Sequence, residues 1–169
     1  MGKVSIVPTG LETGGRARRV SAAMALHLLK LCVGVDRVSE LADWQREKLS
    51  QLEAAGEPAV LRHVTRMAPQ RRQEIVDGGS LYWVIKRRIQ VRQRILDLTS
   101  VTARDGVERC SIVLDPALVL TRPLPHRPFR GWRYLKAEDA PADLPPRSQR
   151  LAAEMPEELR ADLLELGLL

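Results

Sequence analysis

Between residues 78 and 101 the chain reads GGSLYWVIKRRIQVRQRILDLTSV, and no other stretch constrains the fold as tightly. Two glycines open it, followed by the β-forming run Leu81, Tyr82, Trp83, Val84 and Ile85. Five cations come next: Lys86, Arg87, Arg88, Arg92 and Arg94. Successive side chains of a strand point to opposite faces. Alternation therefore places Ile89, Val91, Gln93 and Ile95 together, with Gln90, Arg92 and Arg94 on the opposite face. The pattern predicts a hairpin of 81–85 with 89–98 that offers one face to a core and a cationic stripe to a negative partner. It carries no catalytic signature.

The charge is distributed unevenly. Net charge is +6, yet residues 62–94 hold nine cations against two acids, and residues 122–136 hold five cations and no acid. Residues 36–57, 95–121 and 137–169 are each net acidic. Such a bipolar chain suits an acidic partner at its basic segments, or docking between oppositely charged surfaces. With 44% hydrophobic and only 4% aromatic residues, the core must rest on Leu, Val and Ile. The length suits one globular domain, expected over residues 24–169.

Residues 1–23 are rich in Gly, Ser, Thr and Arg and show no sustained period. They are expected to be a disordered arm, or to precede a true start at Met24. His27 and Lys30 interrupt the apolar run that follows, which argues against a secretory signal, and Ile6 spoils the myristoylation pattern begun by Gly2. No apolar stretch is long and clean enough to span a membrane. Cys32 and Cys110 each stand alone without a CxxC motif, as buried thiols of a reducing compartment do. A cytoplasmic location is expected.

The element order reads as α+β. Residues 25–33 are apolar on both faces and predict a central strand. Asp36 or Ser39 is placed to cap a helix running to about Ala55, with Val38, Leu41, Leu49 and Leu52 facing inward. Further strands are expected at 60–65, 98–102 and 109–114, the last two joined at Asp105-Gly106. A short helix is expected from Pro69 to Val76, stopped by Gly78 and Gly79, and a final helix after Pro156. Residues 123–146 read as a proline-rich ordered loop or edge segment. The expected fold is a bent, mostly antiparallel sheet or partly closed barrel, flanked by two or three helices.

The blocks MALHLLKLCVG, HVTRMAP, DGGSLYWVIK, QVRQRILDL, RPFRGWRYLK, EDAPADL and the terminal LGLL resemble the bacterial, mainly alphaproteobacterial, domain of unknown function 1489 family over residues 24–169. That resemblance implies a soluble bacterial protein and brings no catalytic residues with it. At the level of architecture, a glycine-stopped helix followed by a cation-rich strand and antiparallel strands is similar to the PUA-like group, including its ASCH and EVE types. Many of that group engage RNA or modified nucleic acid. The similarity implies a barrel and a nucleic-acid partner, by fold analogy alone.

Two constellations carry the functional expectation. One is the basic stripe, whose arginines could hold phosphate by charge and bidentate hydrogen bonds. Pairing with the acidic helices is its plainer use. The other is residues 127–134, RPFRGWRY, where arginines interleave with aromatics that could stack on bases, or else staple the loop to the core. Together they nominate Arg66, Lys86, Arg92, Arg94, Arg130, Trp132 and Arg133 as a surface for RNA or another phosphate-bearing ligand, with Trp132 stacking. The alternatives are an enzyme acting on nucleotides or nucleic acid and a protein-binding adaptor. His27, His63 and His126 lack metal-ligand spacing, Ser80 lacks a GxSxG setting, and no cofactor motif occurs.

Overall fold

A computed structural model describes residues 25–169, and the expectations for residues 1–23 lie outside them. The chain runs β1 (Leu26–Leu31), α1 (Val38–Ala54), β2 (Leu61–Thr65), α2 (Arg72–Val76), β3 (Ser80–Ile85), β4 (Arg88–Thr102), β5 (Glu108–Leu114), β6 (Val119–Pro125) and β7 (Trp132–Lys136). A 3-10 turn (Ala137–Asp139), α3 (Pro146–Glu154) and α4 (Glu157–Glu165) complete it. The seven strands form one mixed sheet ordered β2-β5-β4-β3-β1-β7, with β6 also paired to β4. Only β1 and β3 run parallel.

The long strand β4 organises the sheet. Its first half pairs with β3 and β6, and its second half, from Ile95 to Thr102, pairs with β5. Register shifts between Ile89 and Val91 and between Ile95 and Asp97 insert the extra residues Gln90 and Leu96. Bulges of this kind bend a strand and raise its twist. The bend brings the β2 end of the sheet toward β7 without joining the two edges. The contact is made by the loop after β2, where Trp132 Nε1 donates to the Met67 carbonyl at 2.8 Å and the Gln70 amide donates to Tyr134 Oη at 3.0 Å. These are side-chain bonds rather than a ladder, so the sheet stays open and no barrel closes.

The first bulge also corrects the expected alternation. Val91 lies opposite Trp83, but Ile89 lies opposite Val84. Trp83 and Val84 face opposite ways, so Ile89 and Val91 enter different clusters. The larger cluster gathers Leu26, Leu28, Leu81, Trp83, Ile85, Val91, Ile95 and Ile112 with Val38 and Leu41 of α1, Ile75 of α2, Ala152 of α3 and Leu164 of α4. The smaller, on the other sheet face, holds Leu29, Tyr82, Val84, Ile89 and Leu135, with Phe129 and Ala140 packed over it. Helices therefore cover one face and loops the other.

Several local expectations shift. The N-cap of α1 is Arg37, with no side-chain cap; instead Glu40 Oε2 accepts the Asp36 amide at 2.9 Å. The inward stripe of α1 includes Gln45, which is buried. Residues 123–146 are less irregular than their prolines suggest, because Pro123 and Pro125 lie in β6 and the segment goes on to form β7. α3 opens on Pro146, where a missing amide hydrogen costs a helix nothing. Gly79 follows α2 at a point of close approach: a Cβ there would lie 2.3 Å from both the Ile75 and Leu26 carbonyl oxygens. Only glycine lets the helix end rest on β1.

Candidate functional site

Under α1 lies a buried amide network. Gln93 is fully buried, and its Oε1 accepts from Gln45 Nε2 and Trp83 Nε1, each at 2.8 Å. Its Nε2 donates to Gln45 Oε1 at 2.8 Å and to the Asp115 carbonyl at 3.0 Å. Every polar atom of the Gln93 side chain is used, so the network stabilises without offering anything to a ligand. Trp83 is thereby a core residue.

On the loop-covered face, Arg92 forms a bidentate pair with Asp143, at 2.6 and 2.5 Å, and donates to Ser80 Oγ at 3.1 Å. Beside it the His27 ring packs edge-on to Tyr82, and its Nδ1 accepts the Ser80 amide. Burial, then the Arg92 charge, lowers the His27 pKa. Burial first, opposed by Arg92, raises that of Tyr82. Asp143 arrives on the segment after β7, where Asp143 and Thr121 form an isolated bridge. Sequence reasoning could not have chosen it as the partner of Arg92, because 51 residues separate the two.

The remaining nominated residues are scattered over the molecule. Arg94 is exposed on the same face as Arg92. Arg66 lies beyond β2 and lines a recess of about 260 Å³ with Arg72 and Arg109, but Arg72 is paired with Asp97 and Arg109 with Asp105. Trp132 is half-buried against the main core and Tyr134, and its indole nitrogen is committed to Met67. Its ring is a staple for the loop after β2.

Arg130 and Arg133 lie on and just after the loop 126–131 between β6 and β7, while Lys86, in the β3–β4 turn, lines a different recess with Asp36, Asp162 and Glu165. The loop and the turn are tied together where the His126 amide donates to the Arg87 carbonyl at 2.8 Å. Arg87, Pro125, His126, Arg127 and Pro128 line a common recess. Arg133 lies over the Phe129 ring at 5.3 Å and donates to the Arg130 carbonyl at 3.1 Å. Among the described residues, Lys86, Arg87, Arg127, Arg130 and Arg133 have no carboxylate within salt-bridge distance. The turn itself is strained: Lys86 and Arg87 have φ of 46° and 62°, a left-handed pair that glycine or asparagine normally occupies.

A separate cleft opens where β1, α1 and β2 meet on the helix-covered face. Its volume is about 490 Å³, and Lys30, Cys32, Glu40, Trp44, His63 and Trp83 contribute to its wall. The His63 and Trp83 rings meet edge-on at 5.4 Å. Burial, then Lys30, pushes the His63 pKa down to about 4, leaving a neutral ring. Burial pushes the Cys32 thiol up to about 11, so it stays protonated and is a poor nucleophile. Among the described residues, no three His, Cys, Asp or Glu side chains gather as metal ligands, and no helix is long and apolar enough to cross a membrane.

Residues 28–169 match the family described as "Protein of unknown function (DUF1489)". No curated protein and no solved structure matches the chain.

Proposed function

The chain belongs to the DUF1489 family, whose description assigns no activity, and on that premise we propose that it is a binding protein for RNA or another phosphate-bearing ligand. The observation that carries this reading is the clamped corner. One backbone hydrogen bond holds the 126–131 loop on the β3–β4 turn, and Arg87, Arg127, Arg130 and Arg133 there have no carboxylate of the described residues within salt-bridge distance. Cations held without internal partners favour phosphate, and arginine adds planar, bidentate geometry. The strained turn supports the reading, since left-handed non-glycine residues persist where the surroundings over-determine them, commonly at functional sites. Arg87, Arg127, Arg130 and Arg133 bear on phosphate, whereas Arg94, opposite Ser80, lies at the far end of the hairpin and Lys86 lines a recess with Asp36, Asp162 and Glu165. Arg92, Arg66 and Trp132 are supporting residues, because their polar groups or surroundings are engaged within the fold.

Fluorescence anisotropy with a labelled single-stranded RNA over a salt series tests this. Removing two phosphate contacts by Arg127→Ala with Arg130→Ala should flatten the slope of log K against log salt by about 1.4. Affinity should fall across sequences alike, because phosphate contacts carry no base information. An unchanged affinity and slope in the double variant, with the fold intact, would reject the corner as the binding surface.

A further inference from the structure

The cleft between β1, α1 and β2 contains one feature that core packing does not explain. Trp44 stands on α1 between Asp43 and Gln45 and is 54% exposed at the cleft wall. Lys48 lies over its ring at 6.0 Å, and the cleft continues inward to His63 and Trp83. Indole and imidazole walls around a volume of about 490 Å³ suit one flat, drug-sized group. The cleft also adjoins the basic corner: Lys30 lines it, and its Nζ reaches the carbonyl of Gly131, next to Arg130, at 3.5 Å.

We propose that this cleft receives one nucleobase of a single-stranded nucleic acid, stacked on Trp44, while the adjoining phosphates lie along Lys30 and the loop arginines. The inference rests on the phosphate-binding reading above. The chemistry of the wall agrees with binding rather than reaction. The neutral His63 ring can exchange hydrogen bonds with an uncharged base, and the protonated Cys32 thiol does not attack it. Glu40 already accepts the Asp36 amide and anchors the start of α1. Lys30 is the cation among the lining residues, which favours a ligand that continues into phosphate.

The experiment compares two labelled probes on the full chain: a short single-stranded RNA, and an abasic ribose-phosphate strand of the same length. Stacking on an aromatic contributes about 5- to 150-fold in affinity per base. Trp44→Ala should weaken RNA binding within that range and leave the abasic strand unaffected, while Trp44→Phe should largely restore it. Arg127→Ala with Arg130→Ala should weaken both probes. If Trp44→Ala leaves RNA affinity unchanged while the arginine variant weakens both, the cleft is not a base site and the phosphate reading stands. Equal weakening of both probes by Trp44→Ala would also overturn the base assignment. If the unmodified chain binds neither probe, both readings fall. Should Trp44→Ala not fold, uridine monophosphate must quench tryptophan emission of the unmodified chain where ribose 5-phosphate does not; equal effects of the two would reject the cleft.

Discussion

The two faces of the sheet spend their polar groups differently. On the helix-covered face Gln45, Gln93 and Trp83 satisfy one another in the dry interior, beneath a cluster that draws on all four α-helices. The loop-covered face packs a cluster of five apolar residues under loops, with a partly exposed Arg92–Asp143 pair at its side and arginines without salt bridges at its end. The first arrangement fixes the fold. The second leaves charge available, and the price is a thinner cover. Cation-rich sequence is therefore a poor guide to cationic surface until the internal partners are known.

This contrast sets an order of effects. Trp83→Ala, on the helix-covered face, should be the most damaging, costing about 3–5 kcal/mol in urea unfolding, as large core truncations do. It would also leave Gln93 short of a donor. A small loss would mean that the interior is looser than its packing indicates.

Acid should come next. The His63 pKa of about 4 lies below the ordinary imidazole value of 6.5, so its contribution is complete above pH 6.5. As pH falls from 6.5 toward about 4, the unfolded chain takes up the proton first and stability drops, by roughly 3 kcal/mol for this one group. The lowered His27 acts in the same direction. His63→Gln should flatten the fall in urea midpoint over that window; an unaltered slope would place the effect elsewhere.

On the loop-covered face, Arg92→Ala or Asp143→Ala should each cost about 1 kcal/mol, the upper end for a pair this exposed, and a double-mutant cycle should show their coupling. Smallest of all, Arg127→Ala with Arg130→Ala should leave thermal unfolding almost unchanged, within about 0.5 kcal/mol per site. A clear loss there would show that those arginines hold the loop in place, and would erase the difference between the two faces.

Much of the fold was legible because local rules decide it. The 81–85 run, its hairpin with β4 and the Asp105-Gly106 turn follow from alternation and turn chemistry, and Trp83 is buried as its strand position implied. What alternation could not supply was the slip at Gln90, since nothing in IQVRQRI marks which residue lies outside the ladder. The separation of Ile89 from Val91 was lost with it. The candidate site suffered more. Arg92 has the sequence context of a surface cation, and only the fold brings Asp143 to it. Trp44 was overlooked because a tryptophan among charged helix residues invites no period-based reading, although that setting was itself the available signal.

The reciprocal Gln45–Gln93 amides act as a lock on alignment. β4 runs fifteen residues, meets three other strands and carries two inserted residues, so each partner must meet it at its own register. A one-residue slide would turn Gln93 away and strand the amide of Gln45, the indole nitrogen of Trp83 and the carbonyl of Asp115 in the interior, at about 1–3 kcal/mol for each orphaned group. Leucine in place of Gln93 would fill similar space and remove that discrimination. The pair thus works as a proofreading device for strand assembly, rejecting the misthreaded sheet more strongly than it strengthens the correct one.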